Sequence, residues 1–103
     1  MLLIETSAFT RRIGTLMSDD DYRRFQAALV ADPKAGDPIS GSGGLRKIRW
    51  SAPGRGKRSG VRIIYYHVDA RDRIYLLAVY PKAEKDDLTP AELRVLRKLM
   101  EEP

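Results

Sequence analysis

Seven basic residues, Arg46, Lys47, Arg49, Arg55, Lys57, Arg58 and Arg62, fall between Pro38 and Val68, a stretch without a single Asp or Glu. The chain of 103 residues has 19 Lys and Arg against 14 Asp and Glu, a net +5, and without those seven the balance is 12 against 14. Positive charge is therefore gathered in one region. Such a concentration beside strand-like sequence is the footprint of a polyanion-binding surface, most often for nucleic acid. The plainer reading is a basic loop that keeps the protein soluble, but solvated loops usually mix both signs.

Strand alternation sorts these residues by direction. Across Leu45–Trp50, Ile48 and Trp50 point one way while Lys47 and Arg49 point the other. Arg62 opens the next apolar run and shares a face with Ile64 and Tyr66. An arginine there is costly to bury unpaired, so it either meets a carboxylate or opens onto an anion-binding concavity. Lys82 and Lys85 follow the last strand, with Pro81 turning the chain. If the strands are neighbours, Lys47, Arg49, Arg62 and Lys82 converge under the Arg55–Arg58 loop. Guanidinium forks and ammonium point charges together suit phosphate.

That set can do one kind of chemistry. RNA is cut by its own 2′-hydroxyl when a base takes the proton, cations steady the phosphorane, and an acid serves the leaving oxygen. Arginine fills the second role but holds its proton at ordinary pH. A lysine crowded by other cations becomes a usable base. Other catalytic classes are poorly supported. His67 is the only histidine, which excludes a two-histidine ribonuclease, and the basic stretch has no carboxylates to hold Mg²⁺. There is no Cys, hence no disulfide, thiolate zinc site or Cys nucleophile. Gly41-Ser42-Gly43-Gly44 lacks the Lys-Ser/Thr of a phosphate loop and precedes a strand. No cofactor is expected. Trp50, Tyr65, Tyr66, Tyr75 and Tyr80 read mostly as core and sheet-pair aromatics, with base stacking by Tyr66 or Tyr80 as the lesser alternative.

The elements that must position these groups are legible. Leu2–Thr6 suits a strand. Phe9, Ile13, Leu16 and Met17 recur on one face of a short helix from Ala8. Ser18 caps a second, with Asp19, Asp20 and Asp21 in its first turn and Ser18 and Asp21 at capping-box spacing; Asp32-Pro33 ends it. Lys34–Gly44 reads as irregular connection, and Ala52–Gly60 as a second polar loop. Leu45–Ser51, Val61–Val68 and Ile74–Tyr80 read as strands, with a hairpin turn at Asp69–Asp72. The last two are apolar at nearly every position, as in a sheet covered on both faces. Thr89-Pro90-Ala91-Glu92 starts a third helix whose buried stripe is Leu93, Leu96 and Met100, with Val95 and Leu99 beside it. The order β-α-α-β-β-β-α predicts one α+β domain over residues 1–103, with two helices covering a sheet. Met1–Ile4 meets Glu5 too soon for a signal peptide, and no apolar run nears the ~20 residues of a membrane span. A soluble, cytoplasmic protein without membrane contact is expected.

The succession Gly43-Gly44-Leu45-Arg46-Lys47-Ile48-Arg49-Trp50, Gly54-Arg55-Gly56-Lys57-Arg58-Ser59-Gly60, Val61-Arg62-Ile63-Ile64-Tyr65-Tyr66 and Tyr80-Pro81-Lys82-Ala83-Glu84-Lys85-Asp86-Asp87-Leu88-Thr89 resembles the HigB branch of the RelE-like toxins, over nearly the whole chain. The resemblance implies the toxin of a bacterial type II toxin–antitoxin pair: a small fold with a twisted, mainly antiparallel sheet that cleaves mRNA in the ribosomal A site without a metal. By position it implies catalytic roles for Lys47, Arg49, Lys57, Arg62 and Lys82. Lys47 or Lys57 would be the base, Arg62 and Arg49 would hold the phosphate, and Lys82 would clamp it or donate a proton. Arg46, Arg55, Arg58, Tyr66 and Lys85 are the expected RNA-binding residues. Leu88 stands where RelE itself carries a catalytic tyrosine. Implied partners are a cognate antitoxin, expected to be a small helix-turn-helix protein, the mRNA and 70S ribosome, and operator DNA only through the toxin–antitoxin complex. Two other readings use the same fold: a ParE-like gyrase-inhibiting toxin and a non-catalytic nucleic-acid-binding module.

Overall fold

The structure, a computed structural model, describes residues 1–51 and 60–101. Its elements are β1 (Leu2–Glu5), α1 (Ser7–Leu16), α2 (Asp19–Ala31), β2 (Asp37–Pro38), β3 (Arg46–Trp50), β4 (Val61–Val68), β5 (Arg73–Pro81) and α3 (Pro90–Leu99). The five strands form one sheet in the order β1-β5-β4-β3-β2. The β1–β5 pair is parallel and the other three are antiparallel. This is the small α+β architecture the sequence predicts.

β4 is the middle strand, and its apolar run is explained by layers on both sides. On one face, Phe9 and Ile13 of α1 and Phe25 and Leu29 of α2 pack on Ile63, Tyr65, Ile74 and Leu76. Each such side chain contributes about 1.5–3 kcal/mol by leaving water. On the other face, Leu45, Ile64, Leu77 and Tyr80 are covered by Leu93, Leu96 and Met100 of α3. A register shift at Ile64/Tyr65, opposite Leu77, lets Leu77 and Ala78 both join that second layer. The α3 layer is thin. None of its residues is fully buried, and Val95 and Leu99, expected beside the buried stripe, are exposed.

Each helix begins at a hydroxyl cap. Thr6 Oγ1 accepts from Phe9 N at 3.2 Å and donates to Leu77 O at 2.9 Å, which ties the start of α1 to β5. Ser18 Oγ accepts from Asp21 N, but Asp21 does not complete the expected box; its carboxylate takes Arg24 Nη1 instead. Thr89 and Glu92 form the full reciprocal pair.

Two connections differ from expectation. The 34–44 segment, predicted to be irregular, contributes β2, because Asp37 and Pro38 pair with Lys47 and Arg46. Asp69–Arg71 is a single turn of 3-10 helix rather than a simple hairpin turn, closed by Asp72 at φ 54°. Aspartate tolerates that left-handed conformation because its short polar side chain compensates locally.

Candidate phosphate-binding site

The face under α3 is left open towards β3, and there the cations gather. Lys47 and Arg49 lie on that face of β3, Arg62 on that face of β4. The register sets Arg49 directly opposite Arg62, and Arg62 opposite Tyr80 of β5; Lys47 lies opposite Ile64. Two like charges opposite one another across a strand pair are destabilising. The arrangement is sustained by anions from the turn after β5. Asp87 Oδ1 accepts from Lys47 Nζ, and Asp86 Oδ1 lies 3.4 Å from Arg62 Nη2. Hydrogen bonding and attraction from Lys47, with further pull from Arg49 and Arg62, hold the Asp87 carboxyl below its ordinary value.

Arg62 is the most informative member. It is 4% exposed, yet its Nε has no hydrogen-bond partner among the described residues. A buried donor left unmade costs about 1–3 kcal/mol, so the site holds binding capacity its own acids do not use. The other such atom is Trp50 Nε1; that ring packs edge-on against Phe25, 5.5 Å between centroids.

Tyr80 is the core aromatic its strand position predicts, and the structure adds a role at the site. It is buried, and its hydroxyl donates to Asp86 O at 3.2 Å, fixing the turn that carries both aspartates. Burial, reinforced by Asp87, pushes its phenol up to about 12. It therefore keeps its proton at neutral pH and can donate a hydrogen bond but not act as base. Only the register with Arg62, invisible in the local sequence, brings it to the site.

The remaining expected residues divide. Lys82 is exposed, and its N donates to Gly60 O at 3.0 Å, which puts its backbone just beyond Tyr80 at the Arg62 end of the sheet. Lys57, Arg55 and Arg58 lie outside the described residues. Lys85 Nζ is paired with Glu92 Oε2 at 2.9 Å and lines an apolar recess between α1 and α3. Tyr66 lies four residues along β4 from Arg62, and one face of its ring is taken by the Arg97 guanidinium at 5.1 Å.

Arg46 is not brought to the cluster. It has the parity of Ile48 and Trp50 and turns to the opposite face, where Nη1 donates to Gly36 O at 2.7 Å and Lys34 O at 3.3 Å. Tyr65, its register partner, accepts from Gly36 N and donates to Pro33 O. Arg46 is thereby an anchor for the chain leading into β2. Leu88 packs into the apolar layer under α3.

Among the described residues no three His, Cys, Asp or Glu side chains are grouped as metal ligands, and no helix is long and apolar enough to cross a membrane. No family model matches the sequence. Among solved structures, the chain is similar to a mutant of the E. coli toxin RelE in its free state, with a TM-score of 0.65 and 14% identity over 96% of this chain and 95% of that one. It is likewise similar to the isolated E. coli RelE toxin, at 0.59 and 14% over 95% and 97%. At that identity the likeness is one of architecture, and the chain has the RelE-type fold.

Proposed function

We propose that the protein is the toxin of a bacterial type II toxin–antitoxin pair, of the HigB branch, and that it inhibits translation by cutting mRNA in the ribosomal A site without a metal. The observation that carries this reading is the opposed Arg49–Arg62 pair beside Lys47, with a buried arginine nitrogen still unpartnered. Cations held together against their repulsion suit a ligand with several anionic oxygens.

In this reading a scissile phosphate displaces Asp86 and Asp87 and takes the Arg62 and Arg49 forks. Lys47 or Lys57 removes the 2′-hydroxyl proton. The 2′-oxygen attacks phosphorus, the bond to the 5′-oxygen breaks, and Lys82 returns a proton to that leaving oxygen. The products are a 2′,3′-cyclic phosphate and a 5′-hydroxyl. Arg55 and Arg58 serve as RNA contacts, and the ribosome orders the substrate. A cognate helix-turn-helix antitoxin covers the protein until release.

The test is a primer-extension map of transcripts after induction. Codon-associated cuts are expected, and they should vanish in Arg62→Ala while circular dichroism shows a folded protein. Undiminished cutting by that variant rejects the assignment. A second reading, a gyrase-inhibiting or purely binding relative, is favoured by the apolar setting of Leu88. It predicts uncut RNA.

A further inference from the structure

A second set of cations collects around the C-terminal half of α3. It begins four residues along β4 from Arg62, about 13 Å at the usual strand rise. On one side Arg94, Arg97 and Lys98 line a concavity of about 510 Å³ with the Gly41–Gly43 turn, where Glu101 is the sole carboxylate among the described residues. On the other side Arg71 and Arg73 line one of about 390 Å³ with Tyr66 and Tyr75. Arg97 joins the two. Its guanidinium lies over the Tyr66 ring, and its Nε donates to Gly43 O at 2.9 Å. Gly43 has φ +74°, and a Cβ there would fall 2.7 Å from Arg97 Nε, so the turn can hold the arginine only as glycine. The fork is thus oriented before any ligand arrives.

These five cations differ from Lys47 and Arg62 in one respect: among the described residues none is ion-paired. Of the nearby acids, Asp72 pairs with the N-terminal ammonium at 3.1 Å. Guanidinium forks alternate here with tyrosine faces. Phosphates take the forks and unpaired bases stack on the rings, whereas an acidic peptide has use only for the charge.

We propose that this flank of α3 is a second RNA-binding surface, gripping the backbone of an RNA whose other segment reaches the Arg49–Arg62 site. It rests on the RNA-directed reading above, but its test does not require cleavage. Fluorescence anisotropy with a labelled 20-nucleotide RNA hairpin, across a salt series, measures affinity and its salt slope. The Arg94→Ala/Lys98→Ala variant changes two exposed positions to the best helix former, so folding is retained. It should bind about tenfold more weakly and lose about 1.8 from the slope, two phosphate contacts at ~0.9 each. Arg97→Lys keeps the charge but loses the stacked fork; it should cost about threefold with the slope unchanged.

An unchanged slope in the double variant overturns the proposal. So does unchanged RNA binding with lost affinity for a polyglutamate peptide, which would assign the surface to an acidic protein. Wild-type protein that binds the hairpin here but leaves cellular transcripts uncut after induction would sink the cleavage reading and leave this surface standing. Cleavage with a slope indifferent to the double variant would do the reverse.

Discussion

Arg62 Nη2 lies 3.4 Å from Asp86 Oδ1, and the two side chains differ sharply in setting, 5% exposed for the arginine and 72% for the aspartate. The cation is fixed by the sheet while its partner sits on a turn in solvent. The acid can leave; the arginine cannot. Lys47 and Asp87 repeat the pattern, 17% against 71%. In the proposed reading the two aspartates compete with phosphate for the site.

Asp86→Asn and Asp87→Asn should each raise RNA affinity by about two- to fivefold, the range that solvent-exposed ion pairs contribute. Anisotropy titrations at fixed salt check this. Weaker RNA binding by either variant would mean that the acid helps hold the ligand.

Removing one member of the like-charged pair should separate stability from function. Arg49→Ala should leave thermal stability unchanged or raise it by a few tenths of a kcal/mol, since it relieves repulsion across the strand pair. RNA cleavage should nevertheless drop by tenfold or more. A paired melting and cleavage measurement tests both halves.

Arg46→Ala should do the opposite. Its bonds to the carbonyls of Gly36 and Lys34 are charge-assisted, so their loss costs about 1.5–3 kcal/mol. Denaturant titration should show that destabilisation, while the salt slope of RNA binding stays unchanged because the side chain faces away from the cluster.

Alkaline conditions should weaken the fold through buried phenols. The Tyr80 phenol is pushed up to about 12, and those of Tyr65 and Tyr22 are also raised, each mainly by burial. Above the unfolded phenol value of ~10 the folded state holds more protons than the unfolded one, so stability falls as pH rises between 10 and 12. Tyr80→Phe should flatten that decline, at the expense of about 1 kcal/mol at neutral pH for its bond to Asp86 O. Denaturant midpoints at pH 8 to 11 give the comparison.

Acid should act on the start of α3. The Glu92 carboxyl is lowered by its bond from Thr89 N and by Lys85, so its contribution is present above the unfolded value and is lost as pH falls through the folded one. Glu92→Gln should be less stable than wild type at pH 7, and the gap should close as pH falls below the ordinary glutamate value of ~4.3. A constant gap would show that the charge contributes nothing.

The sequence by itself determined the helices, the three long strands and the facing of Lys47, Arg49 and Arg62 within their own strands. These follow from local periods, two residues for a strand and 3.6 for a helix, and from caps such as Ser18 and Thr89. That Arg62 shares a face with Lys47 and Arg49 followed only from the register of β3 on β4. Tertiary structure decided which groups meet. Asp87 reaches Lys47 across 40 positions and Asp86 reaches Arg62 across 24, because the register of β3, β4 and β5 and the turn after Tyr80 bring them together. The same holds for Tyr80 beside Arg62 and for Arg97 over Tyr66. Even Arg46, whose facing alternation implied, acquired its role only when the 34–36 backbone was folded within its reach. Direction along a strand is set by neighbouring bonds, whereas ion pairing depends on distances that only the packed chain defines.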